Sequence, residues 1–107
     1  MSPNDLTLQT YYSMMGYLMR DTNQHAKSLK YYDKATGGDI DSYSQYPQAR
    51  TGAHYNYGLA YKGLGQRSKA FNSMDKAWQE CQKYMHEPGS DQSFCNRIKT
   101  LRDELKN

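Results

Sequence analysis

Residues 54–65 read HYNYGLAYKGLG. This stretch decides the fold because small and large side chains stand at set positions along one predicted helix. Gly58 stands in the middle of an aromatic run, and Gly65 follows where a helix would end. Ala70 and Met74 continue at helical spacing on the next segment. This order predicts two antiparallel helices joined by a short turn, with glycine and alanine allowing the two backbones to approach closely.

The same order of residues occurs a second time, earlier in the chain. Gly16 precedes Gly58 by 42 positions, and Tyr32 precedes Met74 by the same 42 positions. A helical hairpin of this kind leaves one face apolar and buries it by stacking on a neighbouring hairpin. The repetition therefore predicts an all-α chain that forms a short α-solenoid. Such arrays usually bind other proteins and seldom catalyse reactions.

The predicted elements are five helices and one long connection. Repeat one spans about residues 8–36, and repeat two spans about residues 49–84. Residues 37–48, GGDIDSYSQYPQ, are expected to be an irregular connection because they contain a glycine pair, serines and a proline. A capping helix follows over about residues 90–106, and the whole of residues 1–107 is expected to form one domain.

Short polar residues and glycine mark the expected helix ends. Asn4 or Asp5 is predicted to cap the first helix, and Ser90 or Asp91 is predicted to cap the last one. Asn23 is predicted to take the left-handed conformation that ends a helix.

Charge and hydropathy exclude several classes of protein. The net charge is +3, from 14 basic and 11 acidic residues that are spread along the chain. Nucleic-acid-binding proteins usually concentrate their basic residues in one stripe. No apolar stretch is long enough to span a bilayer, and no secretory signal peptide is visible. We therefore expect neither a nucleic-acid partner nor a transmembrane segment.

Tyrosine supplies much of the apolar content. Apolar residues make up 36% of the chain, and 11 residues are tyrosines. A tyrosine packs its ring and keeps its hydroxyl group near water or a hydrogen-bond partner. The composition therefore predicts a thin core that is filled by aromatic side chains.

The repeated segment resembles the tetratricopeptide repeat (TPR) family. The family pattern W-x2-L-G-x2-Y, then A-x3-F, then A, fits two sets of positions: His54, Tyr57, Gly58, Tyr61, Ala70, Met74 and Ala77 in repeat two, and Tyr12, Met15, Gly16, Met19, Ser28, Tyr32 and Ala35 in repeat one. The resemblance covers about residues 8–84, although both repeats lack the proline that closes the family pattern. It implies two TPR-like helical hairpins and a C-terminal helix that caps them.

The resemblance also implies a concave groove that the first helix of each hairpin lines. By position, the implied partner-binding residues are Ser13, Tyr17, Arg20, Tyr55, Asn56, Leu59 and Lys62. Tyrosines present rigid contact area, and the two basic residues are able to meet acidic groups. The alternative is that Tyr17 and Tyr55 pack against the fifth helix or against each other. Ser13 and Tyr17 replace the lysine and asparagine of the family's chaperone-tail clamp, so we expect an apolar or aromatic ligand.

Three classes of function stay open at this point. The first is a scaffold or adaptor that binds a partner protein or peptide segment, for example in a bacterial envelope or secretion assembly. The second is a cytosolic secretion-type chaperone that holds an unfolded segment of its partner. The third is a single-stranded RNA-binding helical repeat, which the expected groove disfavours because it lacks a basic lining. Self-association into a homo-oligomer also stays open, because two repeats make a small groove.

The sequence lacks the patterns of catalytic and metal sites. His25, His54 and His86 share no ligand spacing with each other or with the cysteines. His54 occupies the large aromatic position of the repeat, so packing explains it better than chemistry. No nucleophile elbow or phosphate-binding loop is found, and Asp39-x-Asp41 lacks the further ligands of a calcium loop. We therefore expect no enzyme activity, no catalytic residue, no metal and no cofactor.

Cys81 and Cys95 are the only cysteines. Antiparallel packing of the fourth and fifth helices would bring them within bridging range. A disulfide across this loop would pin the capping helix and stabilise the fold by about 3 kcal/mol. The alternative is a pair of buried thiols that act as small apolar residues. A bridge would favour a periplasmic or other extracytoplasmic location, whereas free thiols would favour the cytoplasm.

Overall fold

The computed structural model describes residues 6–106, and the elements given below belong to this part of the chain. Five helices of 12 or more residues and one single-turn helix follow each other: α1 (Leu6–Asp21), α2 (His25–Thr36), α3 (Ile40–Tyr43), α4 (Pro47–Gly63), α5 (Arg67–Gln82) and α6 (Gln92–Leu105). Residues 6–106 contain no β-strand, so the predicted all-α class is confirmed.

The predicted helix ends lie close to the observed ones. Asn23 has a φ of 62°, and Gly65 has a φ of 74°, so each takes the left-handed conformation that closes a helix. The Asp91 carboxylate accepts a hydrogen bond from the backbone amide of Phe94 at 3.0 Å and thereby caps α6. The predicted caps at Asn4 or Asp5 lie outside the described residues.

The pairs α1–α2 and α4–α5 form two hairpins that close on the same kind of contact. A Cβ atom added at Gly16 would collide with the ring of Tyr32. A Cβ atom added at Gly58 would lie 2.8 Å from the Met74 Cε atom. In each hairpin a glycine therefore lets a large side chain of the second helix reach the backbone of the first helix. The structure thus reproduces the spacing that relates the two segments in the sequence.

The hairpins stack through α2 and α4, and α6 packs on the far side against α5. The rings of Tyr32 on α2 and Tyr57 on α4 lie with their centroids 5.9 Å apart. Each long helix therefore packs against the next long helix along the chain. The single-turn α3 contacts α4.

The connection between the hairpins is more regular than predicted, because it contains α3. Ile40 begins this helix and packs against the cluster that Tyr32 and Tyr57 form. Burial of the Ile40 side chain stabilises this single helical turn. The glycines and Pro47 of the segment predicted an irregular connection instead. The end of the connection is tied to α4, because the Arg50 Nη1 group donates a hydrogen bond to the Ser44 carbonyl oxygen at 2.9 Å.

The buried side chains form two clusters of unequal size. The larger one, called the C-terminal core, joins α5 to α6 and contains Ala70, Met74, Ala77, Cys81, Tyr84, Cys95, Ile98 and Leu105. The smaller one, called the tyrosine core, joins α2 to α4 and contains Tyr32, Tyr57 and Ala60. The tyrosine core has the thin, aromatic packing that the composition predicts. The C-terminal core is larger and partly aliphatic.

Several interactions hold α6 on α5. The sulfur atoms of Cys81 and Cys95 lie at disulfide-bonding distance, with Cα atoms 5.7 Å apart and both side chains buried, as the cysteine spacing predicted. The Arg67 Nε group donates to the Leu105 carbonyl oxygen at 3.0 Å. Arg102 pairs with Asp75 at 2.6 Å, so both ends of α6 are anchored.

Candidate functional site

A cleft with a volume of about 720 Å³ opens between α1 and α4. Tyr32 on α2 and Tyr57 on α4 contribute to its lining, and Tyr46 in the connection before α4 forms part of its wall. The cleft therefore exists because α1 packs on α2, and α2 on α4, while few contacts join α1 directly to α4.

The lining of this cleft is uncharged. None of the described residues that line it carries a formally charged side chain. Met14, Tyr17 and Tyr46 line it although they are 62%, 40% and 61% exposed. Large exposed side chains gathered around one concavity are typical of an interaction site, whereas single exposed apolar residues are common everywhere.

One part of the cleft is ordered by a polar network. The Asn56 Nδ2 group donates to the Tyr17 hydroxyl oxygen at 3.2 Å, and the Arg20 Nη1 group donates to Asn56 Oδ1 at 3.4 Å. The Arg20 guanidinium group also lies 5.3 Å from the centroid of the Tyr17 ring. These contacts fix the Tyr17 ring while leaving much of it exposed, so its surface is available at little cost in side-chain entropy.

The two buried tyrosines that line the cleft differ in how their hydroxyl groups are satisfied. The Tyr57 hydroxyl group donates to the Asp33 carboxylate and lies 3.3 Å from the Thr36 hydroxyl group. Burial raises the pKa of Tyr57, and the hydrogen bond with Asp33 raises it further. Burial also raises the pKa of Tyr32, whose hydroxyl group makes no hydrogen bond of good geometry within the described chain. Both phenols are therefore neutral, and the lining stays uncharged at physiological pH.

The structure divides the groove residues that the sequence implied into two groups. Ser13, Tyr17 and Asn56 line the cleft, and Arg20 contacts Asn56 beside it. The other three residues, Tyr55, Leu59 and Lys62, are not part of the lining.

Tyr55 and Leu59 lie against the C-terminal part of the molecule instead. The Tyr55 ring meets the Phe94 ring of α6 edge to face, with centroids 5.0 Å apart, and Leu59 packs against the C-terminal core. Lys62 is exposed near the end of α4. For Tyr55 the structure therefore corresponds to the alternative interpretation, packing against the last helix. Tyr17 instead contacts Tyr32, with ring centroids 6.0 Å apart, and remains partly exposed.

Most of the residues that line the cleft were not among those implied by the sequence, and Met14, Tyr46 and Gly52 are examples. Met14 occupies the position that Asn56 has in repeat two, so the 42-residue offset was a signal that could have identified it. Tyr46 belongs to the connection, and no repeat position predicts its place. Gly52 also lines the cleft, and a Cβ atom added there would meet no atom within 4 Å.

A second, charged surface lies where α3, α4 and α5 meet. Glu80 accepts hydrogen bonds from Arg50 and from Lys83, each at 3.0 Å. Burial by itself would raise the pKa of the Glu80 carboxyl group, but the two basic partners outweigh burial and lower it. Within residues 6–106, no three histidine, cysteine or acidic side chains converge in a way that could hold a metal ion. The charged groups pair with one another, which is typical of a structural ion-pair network.

His54 is buried beside this network. Its Nε2 atom lies 3.4 Å from Asp41 Oδ1, and its side chain is only 5% exposed. Burial lowers the pKa of His54 below its usual value, although the neighbouring Asp41 partly opposes this shift. His54 is thus a buried histidine whose lowered pKa keeps the imidazole neutral near pH 7.

Comparison of the chain with protein-family models, with curated proteins and with solved structures gives no match in any of the three. No helix among the described residues is both long enough and apolar enough to cross a membrane.

Proposed function

We propose that this chain is a TPR-like module that binds an uncharged, apolar or aromatic segment of a partner protein in the cleft between α1 and α4. It would thereby act as a scaffold or adaptor. The observation that carries the proposal is the uncharged lining of the cleft, around which Met14, Tyr17 and Tyr46 stay exposed. The cleft volume of about 720 Å³ lies in the range of pockets that enclose small ligands, so a short segment with a few side chains fits.

The arrangement of equivalent positions supports the TPR-like interpretation. Ser13 and Tyr17 on α1 line the cleft toward α4, while Tyr55 and Leu59, at the equivalent positions of α4, pack toward the region of α6. The inner positions of α1 thus face α4, and the equivalent positions of α4 face α6. In this view α6 covers the second half of the groove as a capping helix, which leaves the first half as the binding site.

The chemistry of the lining favours an uncharged ligand. A charged side chain that entered the cleft would lose its hydration without gaining an ionic partner, which costs several kcal/mol. The exposed rings and the Met14 thioether instead offer apolar contact, and a flexible methionine side chain adapts to different partners. Ser13 and Gln48 supply hydrogen-bonding groups that are able to satisfy the polar backbone of a bound segment.

The alternative functions differ from this proposal in ways that can be measured. A secretion-type chaperone would use the same cleft but would bind unfolded apolar segments with little sequence preference. A single-stranded RNA-binding repeat would need a basic groove that follows the phosphate backbone. The uncharged lining therefore supports peptide binding over RNA binding.

The proposal is tested by selecting ligands from a displayed library of random linear peptides. We expect the selected peptides to be rich in apolar and aromatic residues and low in charge. The affinity of a purified peptide, measured by fluorescence anisotropy, should change less than about threefold between about 0.05 M and 0.5 M NaCl. Selection of highly charged peptides, or a steep dependence on salt, would contradict an uncharged site. Tight binding of a single-stranded oligonucleotide would favour the RNA alternative.

Gly52 offers a variant that blocks the cleft without disturbing the fold. Space is open around this glycine, so Gly52→Leu should fill the cleft, keep the helical circular-dichroism spectrum and weaken peptide binding by more than about tenfold. Gly52→Ala adds one methyl group and should retain binding. If Gly52→Leu binds the peptide as tightly as the unmodified protein does, the cleft is not the site.

A second pair of variants separates the two groups of implied groove residues. Tyr17→Ala should weaken peptide binding by about 1–3 kcal/mol, because an aromatic contact in the cleft is lost. Tyr55→Ala should leave the affinity nearly unchanged and instead lower the unfolding free energy, because the ring packs on Phe94. The reverse result would place the groove between α4 and α6.

A further inference from the structure

Helix α6 repeats the burial pattern of α4 at the same offset of 42 positions that relates the two hairpins. Ala53 and Cys95 are buried at equivalent positions, and so are Asn56 and Ile98. Helix α4 packs on α2, the second helix of the first hairpin, and α6 packs in the same way on α5, the second helix of the second hairpin. Helix α6 therefore stands to α4 as α4 stands to α1.

The positions that do not match lie on the side of the helix that faces its own hairpin. Gly58 is buried against Met74 of α5, whereas Thr100, which stands 42 positions after Gly58, is exposed. Within residues 6–106 no helix follows α6, so this side of α6 has no second helix to pack on. The equivalence therefore holds for the side that faces the preceding hairpin.

The α4–α6 contact and the α1–α4 contact differ in the size of the side chains that meet there. Between α4 and α6, the Tyr55 ring meets the Phe94 ring edge to face, with centroids 5.0 Å apart. Between α1 and α4, the equivalent positions are Ser13 and Gly52, and both residues line the cleft. A Cβ atom added at Gly52 would meet no atom within 4 Å. The space that two rings fill in one contact is therefore open in the other.

We propose that the cleft takes one aromatic side chain of the bound partner segment, seated between Ser13 and Gly52 in the place equivalent to that of Phe94. The α4–α6 contact supports this assignment, because there the chain fills the equivalent place with a ring of its own. The inference rests on the proposed function of the cleft. It adds the one side chain that the bound segment must carry.

The lining of the cleft also favours a ring over an aliphatic side chain. Four of the described lining residues are tyrosines, namely Tyr17, Tyr32, Tyr46 and Tyr57. Aromatic rings attract one another in edge-to-face arrangements, and an aliphatic side chain lacks this interaction. The Tyr17 ring is 40% exposed, and its hydroxyl group is held by Asn56, so it can meet a ligand ring with little further loss of freedom.

A ring attached to α4 itself tests whether the open space accepts one. The midpoint of thermal unfolding of Gly52→Phe should exceed that of Gly52→Ala by about 4 °C, because the added ring fills the cleft as Phe94 fills its equivalent. Gly52→Ala is the matched control, since it supplies the gain in helix propensity without a ring. A midpoint equal to or below that of Gly52→Ala would overturn the proposal.

The peptides selected in the test of the proposed function supply a second measurement. Replacement of one aromatic residue of such a peptide by leucine should weaken its binding by about fivefold or more in fluorescence anisotropy. Exchange of leucine and isoleucine elsewhere in the peptide is the control and should change the affinity less than about twofold. The Gly52→Phe variant should lose binding, because its own ring occupies the place of the ligand ring.

The outcomes separate this inference from the proposed function. Selected peptides that lose binding to Gly52→Leu, yet lack aromatic residues or tolerate leucine in place of each one, would overturn this inference and leave the proposed function intact. If no peptide is selected, or if Gly52→Leu binds the peptides unchanged, the proposed function fails and this inference fails with it.

Discussion

The two halves of the molecule are held together by different means. In the C-terminal half, the core that joins α5 to α6 contains eight buried residues, two of which are the paired cysteines. Toward the N-terminus, the cluster that joins α2 to α4 has three buried members within residues 6–106, namely Tyr32, Tyr57 and Ala60. Aliphatic and small side chains fill space closely, whereas tyrosine rings need hydrogen-bond partners and leave gaps. The cleft and the exposed side chains of Tyr11 and Leu18 on α1 both lie in the half that is less completely packed.

The comparison predicts that core truncations cost more in the C-terminal half. Ile98 is fully buried in the C-terminal core, so Ile98→Ala should lower the unfolding free energy by about 4 kcal/mol. Leu29 is only partly buried against the tyrosine core, so Leu29→Ala should cost about half as much or less. Urea unfolding of both variants measures the two values. Equal losses would show that the halves do not differ in packing.

The cysteine pair should contribute the next largest effect. A bridge between Cys81 and Cys95, separated by 14 residues, restricts the unfolded chain by about 3 kcal/mol in the chain-entropy model. The variant with Cys81→Ala and Cys95→Ala should lose about that amount, and a reducing agent should lower the stability of the unmodified protein but not of the variant. The difference between reduced and oxidised protein in urea unfolding measures it.

Thiol titration of denatured, unreduced protein supplies the control for this experiment. If the bridge forms in the compartment where the protein occurs, protein isolated from there should show no free thiol. Two titratable thiols would mean that the pair serves only as buried apolar side chains, and the C-terminal half would then depend on packing alone.

For glycine-to-alanine substitutions inside the hairpins, we expect the larger loss of stability in the N-terminal half. At Gly16 an added methyl group meets the rigid ring of Tyr32, whereas at Gly58 it meets the flexible side chain of Met74. Gly16→Ala should therefore cost about 1–2 kcal/mol, while Gly58→Ala should be nearly neutral, because helix propensity offsets the smaller clash. Thermal unfolding of the two variants compares them. A neutral Gly16→Ala would show that Tyr32 has room to move.

The helices and their pairing could be predicted because their causes are local. Glycine and alanine at fixed helical positions identified both hairpins, and Asn23, Gly65 and Asp91 identified helix ends through backbone conformation and capping. The turn of α3 could not be predicted, because it depends on burial of Ile40 against rings that are distant in sequence. Local propensity contains no information about such contacts.

The candidate site was predictable only in part for a related reason. The repeat register indicated which side chains point to the inner face, but not which neighbour covers them. Tyr17 and Tyr55 are equally suited to binding by residue type. They differ because Phe94 of α6 covers Tyr55, whereas much of Tyr17 is exposed to solvent. The wall that Tyr46 forms comes from the connection, where no repeat pattern applies.

The smallest predicted effect concerns His54, which lies between the two halves on α4. Because the pKa of the folded His54 is below the 6.5 of an unperturbed histidine, the unfolded chain takes up a proton first as the pH falls. The histidine therefore causes stability to decrease as the pH falls below about 6.5, and its effect ends once the folded imidazole is also protonated. Urea unfolding between pH 7.5 and pH 5 should show a modest decrease.

Two variants isolate this decrease from other titrating groups. His54→Phe keeps an aromatic ring in the slot and should flatten the profile, whereas His86→Gln changes an exposed histidine and should not. Glu80, whose pKa is lowered, loses its contribution only at lower pH, as the pH falls below the 4.5 of an unperturbed carboxyl group, so the two windows are separate. The groups that face His54 are Asp41 on α3 and Lys76 and Glu80 on α5. A stability that rises as the pH falls would mean that the pairing with Asp41 outweighs burial and that the imidazole is charged in the fold.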